Sequence, residues 1–241
     1  MVAPAREPLL SPAPAVQPRM SPELALNAFH GRAEYQLVQL GAYSDTTTIE
    51  AALPASRQQG TFVLLRQFEA PKKLAFKAVR FVGDNFVKTN IIARLLQQEA
   101  DSVQKGGGGA TAISDANYKF SYKGVDDIAG QPVYVFQLKP RAKRSGLFKG
   151  KIYLDVFTGR IRRAEGTMVK SPSFFVKKIQ FVQDYADYGE FCLPVHIHSE
   201  ADTRLVGKAV VDIYHGGYQA HSMAELHPQV ASTMVAAGAA Q

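Results

Sequence analysis

The residues most able to do chemistry lie in one run, Cys192-Leu193-Pro194-Val195-His196-Ile197-His198-Ser199-Glu200. Alternation puts His196, His198 and Glu200 on one face of a strand, because side chains two apart point the same way. Two imidazoles and a carboxylate on one face are a possible metal-ligand set. They are equally the polar face of an amphipathic strand whose apolar face is Leu193, Val195 and Ile197. The other histidines, His30, His215, His221 and His227, have no ligand-like spacing to them. His215, ahead of Gly216 and Gly217, reads as the end of a strand.

Nucleophilic catalysis has weaker support. No Gly-x-Ser-x-Gly elbow occurs in the 241 residues. The single cysteine, Cys192, sits between Phe191 and Leu193, apolar neighbours that raise a thiol pKa rather than lower it. One cysteine also excludes an intrachain disulfide and a zinc site built on several thiolates. The glycines 106–109 lack the Lys-Ser or Lys-Thr of a phosphate loop and follow a helix rather than a strand. The chemistry of the chain therefore points to binding, with no cofactor expected.

Two groupings suit binding. Lys139, Arg141, Lys143, Arg144, Lys149 and Lys151 occur with no acid among them, within a chain of net charge +7. Such a stretch attracts anions, and an anionic membrane surface suits it better than nucleic acid once the aromatics are considered. Phe62, Leu64, Phe76, Tyr134, Phe136, Phe174, Phe175 and Phe181 exceed what one solvated sheet face requires. They are core, or else they line an incompletely filled concave sheet, which is a lipid pocket.

The elements that must position these residues are mostly strands. Two-residue alternation broken by turn residues predicts antiparallel strands at about 34–41, 45–53, 60–69, 73–82, 118–125, 133–139, 148–157, 160–169, 174–185, 193–202 and 205–214. About eleven such strands make a strongly curved sheet or open barrel, so the fold class is mainly β with some helix. The segment 84–104 breaks the pattern: Phe86, Val87, Ile91, Ile92, Leu95, Leu96 and Val103 recur at helical spacing, which makes an amphipathic helix. Asp84 or Asn85 can cap it, and the glycines 106–109 end it in a loop or hinge. A short helix is expected from Glu23 to about His30.

Residues 1–22 hold six prolines and read as an extended or disordered leader without an apolar secretion signal. The body spans 23–218, and 219–241 reads as a loose Ala-rich tail. No apolar run is long enough to span a bilayer as a helix.

The ordered series Tyr118-Lys119-Phe120, Gly130-Gln131-Pro132-Val133-Tyr134, Gly146-Leu147-Phe148-Lys149-Gly150, Thr158-Gly159-Arg160-Ile161, Lys170-Ser171-Pro172-Ser173-Phe174-Phe175, Leu193-Pro194 and Asp202-Thr203-Arg204-Leu205-Val206-Gly207 resembles the outer-membrane lipoprotein-sorting proteins. These are the LolA-like periplasmic carriers, whose fold is shared by the carrier LppX and the regulator RseB. The similarity is clear over 118–214 and weak over 34–102. It implies an open antiparallel half-barrel with a helical lid over a cavity for lipid or lipoprotein acyl chains. Phe86, Ile91 and Leu95 would then be lid residues, Phe174 and Phe175 would lie at the cavity wall, and the glycines would let the lid move. The implied activity is non-enzymatic periplasmic transport toward the outer membrane, with a lipid or acylated ligand and possible envelope membrane partners. An RseB-like sensor of lipid or lipoprotein and a metal-dependent protein using His196 and His198 are the alternatives.

Overall fold

In the computed structural model, which describes residues 19–171, 176–204 and 207–226, the first element is a helix. Helix α1 (Pro22–Gln39) starts where Ser21 Oγ accepts the Leu24 N–H at 3.2 Å, with Pro at the first helical position and Glu23 in the first turn. It does not stop near His30. The segment 34–41 reads as a strand by its alternation, yet it is helical to Gln39, and Tyr35, Leu37 and Val38 point to solvent. No proline or cap interrupts the helix there, and its buried positions, Ala25 and Phe29, are four apart as a helix requires.

Ten strands follow: β1 (Leu40–Leu53), β2 (Gln58–Glu69), β3 (Lys73–Gly83), β4 (Tyr118–Ile128), β5 (Gln131–Pro140), β6 (Phe148–Asp155), β7 (Ile161–Met168), β8 (Val176–Tyr188), β9 (Phe191–Thr203) and β10 (Lys208–Ser222). They form one antiparallel, unclosed sheet in the order β3-β2-β1-β10-β9-β8-β7-β6-β5-β4, an open half-barrel. The strand expected over 34–41 is the end of α1, which leaves ten rather than eleven. The C-terminal segment is ordered further than its composition suggests: β10 runs to Ser222 and α5 (Met223–Leu226) follows.

The register decides the faces. One cross-strand row passes through Phe81, Phe62, Ile49, Ile213 and Ile197, and then through Gln183, Ala164, Ile152, Phe136 and Tyr122. Only Gln183 among these ten is polar outside the ring of Tyr122, so this face has to be covered. The helices of both ends pack on it, and it is the inner face. An adjacent inner row brings Gly166 opposite Gly150 and Ala51 opposite Gly60, small residues where the curved sheet meets its own neighbours.

Because β3 and β4 are opposite edges of the sheet, the chain between them must cross the opening. That crossing is the lid: α2 (Asn85–Val87), a π turn over Lys88–Ile92, α3 (Ala93–Gln104) and α4 (Gly107–Thr111). Asp84 does not cap the lid with its side chain; its carboxylate accepts the Gln59 N–H at 2.9 Å and ties the lid's start to β2. Only Gly106, at φ +70°, takes the left-handed conformation that ends α3. The glycines after it continue as α4 instead of an open hinge.

No helix among the described residues is long and apolar enough to cross a membrane.

Candidate functional site

The inner face carries two separate apolar cores. The lid half joins Ile49, Leu53 and Leu64 with Val87 and Ile92 of the lid and Val211 and Ile213 of β10. The α1 half joins Ala25 and Phe29 with Tyr118, Tyr134, Phe136, Leu138, Ile152 and Leu154. The sequence-predicted pocket residues divide between them. Leu64 is fully buried in the lid half, and Phe62, Phe76, Ile91 and Leu95 pack against the same core. Tyr134 and Phe136 are core in the α1 half, with Phe181 packed against it. Phe86 is an exception, 42% exposed. The π turn adds a residue to one turn and so brings Val87 and Ile92, five apart, onto the inner side; Phe86 is left facing out. Phe174 and Phe175 lie outside the described residues.

Between the cores runs a bar of buried polar groups. Arg66 of β2 donates to Asp45 Oδ2 at 2.7 Å, to Glu99 Oε1 of the lid at 2.9 Å and to the Tyr218 hydroxyl at 2.7 Å. Asp45 also faces Thr47 and His215 of the same network, and Thr47 Oγ1 lies 2.9 Å from His215 Nδ1. His215 is thus an interior residue of β10 and no strand end. Burial works to raise the Asp45 carboxyl, but its bonds to His215, Arg66 and Thr47 outweigh it and hold the group below the usual carboxylate range. Arg66 is therefore the charged link between sheet and lid.

A groove of about 380 Å³ lies on the far side of this bar, between α1 and the sheet. Phe29, Ala33, Gln36 and Leu37 of α1 form one wall, and Phe68, Ile161, Tyr185 and Cys192 of the sheet the other. Ala112 and Ile113, after α4, roof it. Among the described residues, none of those expected from the sequence lines it.

Specific bonds hold its walls. Gln36 Oε1 accepts the Cys192 N–H at 2.8 Å, and the Tyr35 hydroxyl donates to Glu190 at 2.7 Å. At Gly159, φ +67°, a Cβ would lie 2.6 Å from the Ala25 carbonyl oxygen, so glycine is what lets the β6–β7 turn touch α1. Burial, with Asp187 nearby, pushes the Cys192 thiol up to about 12, and burial also raises the Tyr185 phenol. Neither is a nucleophile at neutral pH. The signal for this groove is in the sequence as the helical spacing of Phe29, Ala33 and Gln36, hidden by the competing strand alternation of 34–41.

The basic stretch separates into two kinds of residue. Arg141 Nε donates to the carbonyls of Asp115 and Tyr118, at 2.7 and 3.1 Å. Arg144 donates to Asn117 Oδ1 at 2.6 Å, and Asn117 Nδ2 in turn donates to the carbonyls of Gly109 and Ala112. These two arginines hold the groove's roof against the sheet. Lys139 and Lys149 are exposed, with Lys139 directly opposite Lys119, while Lys143 lies in the exposed β5–β6 connection. Lys151 is 4.0 Å from Glu165.

His196 and His198 lie on the outer face. His196 Nε2 and His198 Nδ1 converge on one oxygen, Asp212 Oδ1, at 3.0 and 2.9 Å. Glu200 is held instead by Lys208 at 2.8 Å, and the His196 ring stacks on Tyr214. Among the described residues no group of three His, Cys, Asp or Glu side chains is disposed to hold a metal ion.

No protein-family model matches the chain, and neither does any curated protein. Among solved structures it is similar to a LolA superfamily protein from Nitrosomonas europaea, 13% identical, covering 85% of this chain and 94% of that one at a TM-score of 0.39. It is also similar to an outer membrane lipoprotein-sorting protein domain from Vibrio parahaemolyticus, 12% identical, covering 82% and 89% at 0.38. A third is a chain of the Pseudomonas aeruginosa MucA/MucB complex, 10% identical, covering 80% and 93% at 0.24.

Proposed function

We propose that this protein is a non-enzymatic carrier of the periplasm that holds an acyl chain of a lipid or lipoprotein in the groove between α1 and the sheet, for transport toward the outer membrane. The observation that carries the reading is the groove: concave, walled mainly by Phe29, Leu37, Phe68, Ile113, Ile161 and Tyr185, and about 380 Å³ in volume. Sites for small amphiphiles are concave and mostly apolar, from about 300 Å³ upward. Each methylene moved into such a groove contributes about 0.8 kcal/mol, a driving force that needs no catalytic group. The protonated Cys192 thiol at the groove supports a binding rather than a chemical role. The resemblance of residues 118–214 to the lipoprotein-sorting carriers points the same way.

Docking at an anionic membrane surface falls to Lys139, Lys143 and Lys149, aided by Lys119, each contributing about 1 kcal/mol near the headgroups. Arg141 and Arg144 leave that set because their guanidinium groups hold the groove's roof.

The test is titration of the delipidated full chain with a fluorescent fatty acid, competed by unlabelled phospholipid and by an acylated peptide. Saturable binding at one chain per protein is expected, weakened by Ile113→Glu at the roof. Absence of saturable binding by every chain-bearing probe overturns the reading.

A further inference from the structure

The groove has an uneven charge balance. Among the described residues, three charged ones line it: Arg32, Arg160 and Glu190. Arg160 is committed to Asp187 at 3.0 Å, and Arg162 shares the same carboxylate at 2.9 Å. Glu190, exposed at the rim, accepts the Tyr35 hydroxyl. Arg32 differs from both. It is half-buried on α1, donates to the Thr158 carbonyl, and has no carboxylate partner among the described residues. A guanidinium has five N–H donors, and one bond, to the Thr158 carbonyl, is recorded for Arg32 among the described residues, which leaves donors for an anion at the groove it lines.

An apolar wall around a cation lacking a counter-ion favours a ligand that brings both a chain and a negative head, since a charge-assisted bond is stronger than a neutral one. Size narrows the ligand further. About 380 Å³ is near the lower end for ligand sites, which suits one chain. The lid half adds no room there, because Leu53, Leu64, Val87 and Ile92 already fill its core.

We infer that the groove takes a single-chain amphiphile whose anionic head, a carboxylate or a phosphate, is held by Arg32. This rests on the reading of the groove as an acyl-chain site.

The experiment is calorimetric titration of the delipidated full chain with palmitate, palmitoyl lysophosphatidate, hexadecanol and dipalmitoyl phosphatidylglycerol. Both single-chain anions are expected to bind about tenfold more tightly than hexadecanol, the difference expected of one charge-assisted contact. The tighter of the two identifies the head, and the diacyl lipid is the weakest anion. Arg32→Gln should abolish the preference while hexadecanol still binds, Arg32→Lys should keep part of it, and Glu190→Gln should strengthen both anions. The inference is overturned if hexadecanol equals palmitate, if Arg32→Gln leaves the preference intact, or if the diacyl lipid binds best. Should Arg32→Gln lose hexadecanol too, an unchanged preference in Glu190→Gln overturns it and a strengthened one upholds it. Failure of all four probes instead removes the acyl-chain reading beneath it.

Discussion

The two halves of the inner face use the same design to different ends. Both lay a helix on apolar strands. In the lid half, branched side chains from helix and sheet meet with none of Leu53, Leu64 and Val87 accessible, and the Arg66 ion pairs join the two layers. In the α1 half, the helix buries Ala25 and Phe29 and then presents Arg32, Ala33, Gln36 and Leu37, which are too small, too polar or too far turned out to fill the space. The difference teaches that a covering helix closes a sheet only where its residues match the volume beneath, and leaves a groove where they do not.

The largest effect expected from breaking this contrast is at Arg66. Its side chain is 6% and that of Asp45 0% exposed, so Arg66→Ala strands a buried carboxylate and should cost about 3–5 kcal/mol in a denaturant titration. Glu99, 35% exposed at the lid, should matter less, about 1 kcal/mol for Glu99→Gln. A smaller loss for Arg66→Ala than for Glu99→Gln would show that the bar does not hold the halves apart.

Cavity creation sharpens the same contrast. Ile92→Ala, in the filled half, should destabilise by about 2–5 kcal/mol. Leu37→Ala, on the groove wall and 57% exposed, should stay within about 0.5 kcal/mol by thermal unfolding. Equal costs would mean that the α1 half is packed as tightly as the lid half.

Acid should weaken the polar bar next. Because the Asp45 carboxyl is held below its ordinary value of about 3.9, its contribution is complete above that pH and is lost as pH falls through the lowered folded value. Stability measured from pH 6 down to pH 2 should therefore drop below about pH 4, and less steeply in Asp45→Asn, which starts from a lower plateau. A wild-type profile flat over that window would sink the assignment.

The smallest effect concerns the open half alone. Ala33→Leu places bulk in the groove and should leave stability within about 1 kcal/mol while weakening chain binding. Unaltered binding of the fluorescent fatty acid would place the ligand elsewhere.

Much of the frame was legible because its signals are local. Alternation with a period of two marks all ten strands, with β1 beginning earlier and β10 running on later than it suggests, and helical spacing over 84–104 marks the lid. The segment 34–41 reads otherwise because Glu34, Tyr35, Gln36 and Leu37 alternate as a strand would, while the uninterrupted helix entering it from Ser21 is the stronger constraint. The outer-face histidines misled in another way: His196, His198 and Glu200 do share a strand, but Asp212 and Lys208 arrive from the neighbouring strand and claim them in pairs.

What the sequence by itself determined is the mainly antiparallel sheet, the lid helix and the apolar character of one face, since each depends on residues a few positions apart. Which strands share a face with which helix, that Val87 and Ile92 turn inward while Phe86 faces out, and that a groove lies under α1 depend on the tertiary structure alone. A groove is what remains when side chains from Phe29 to Cys192 have packed, and no local pattern encodes a remainder summed over residues more than a hundred positions apart.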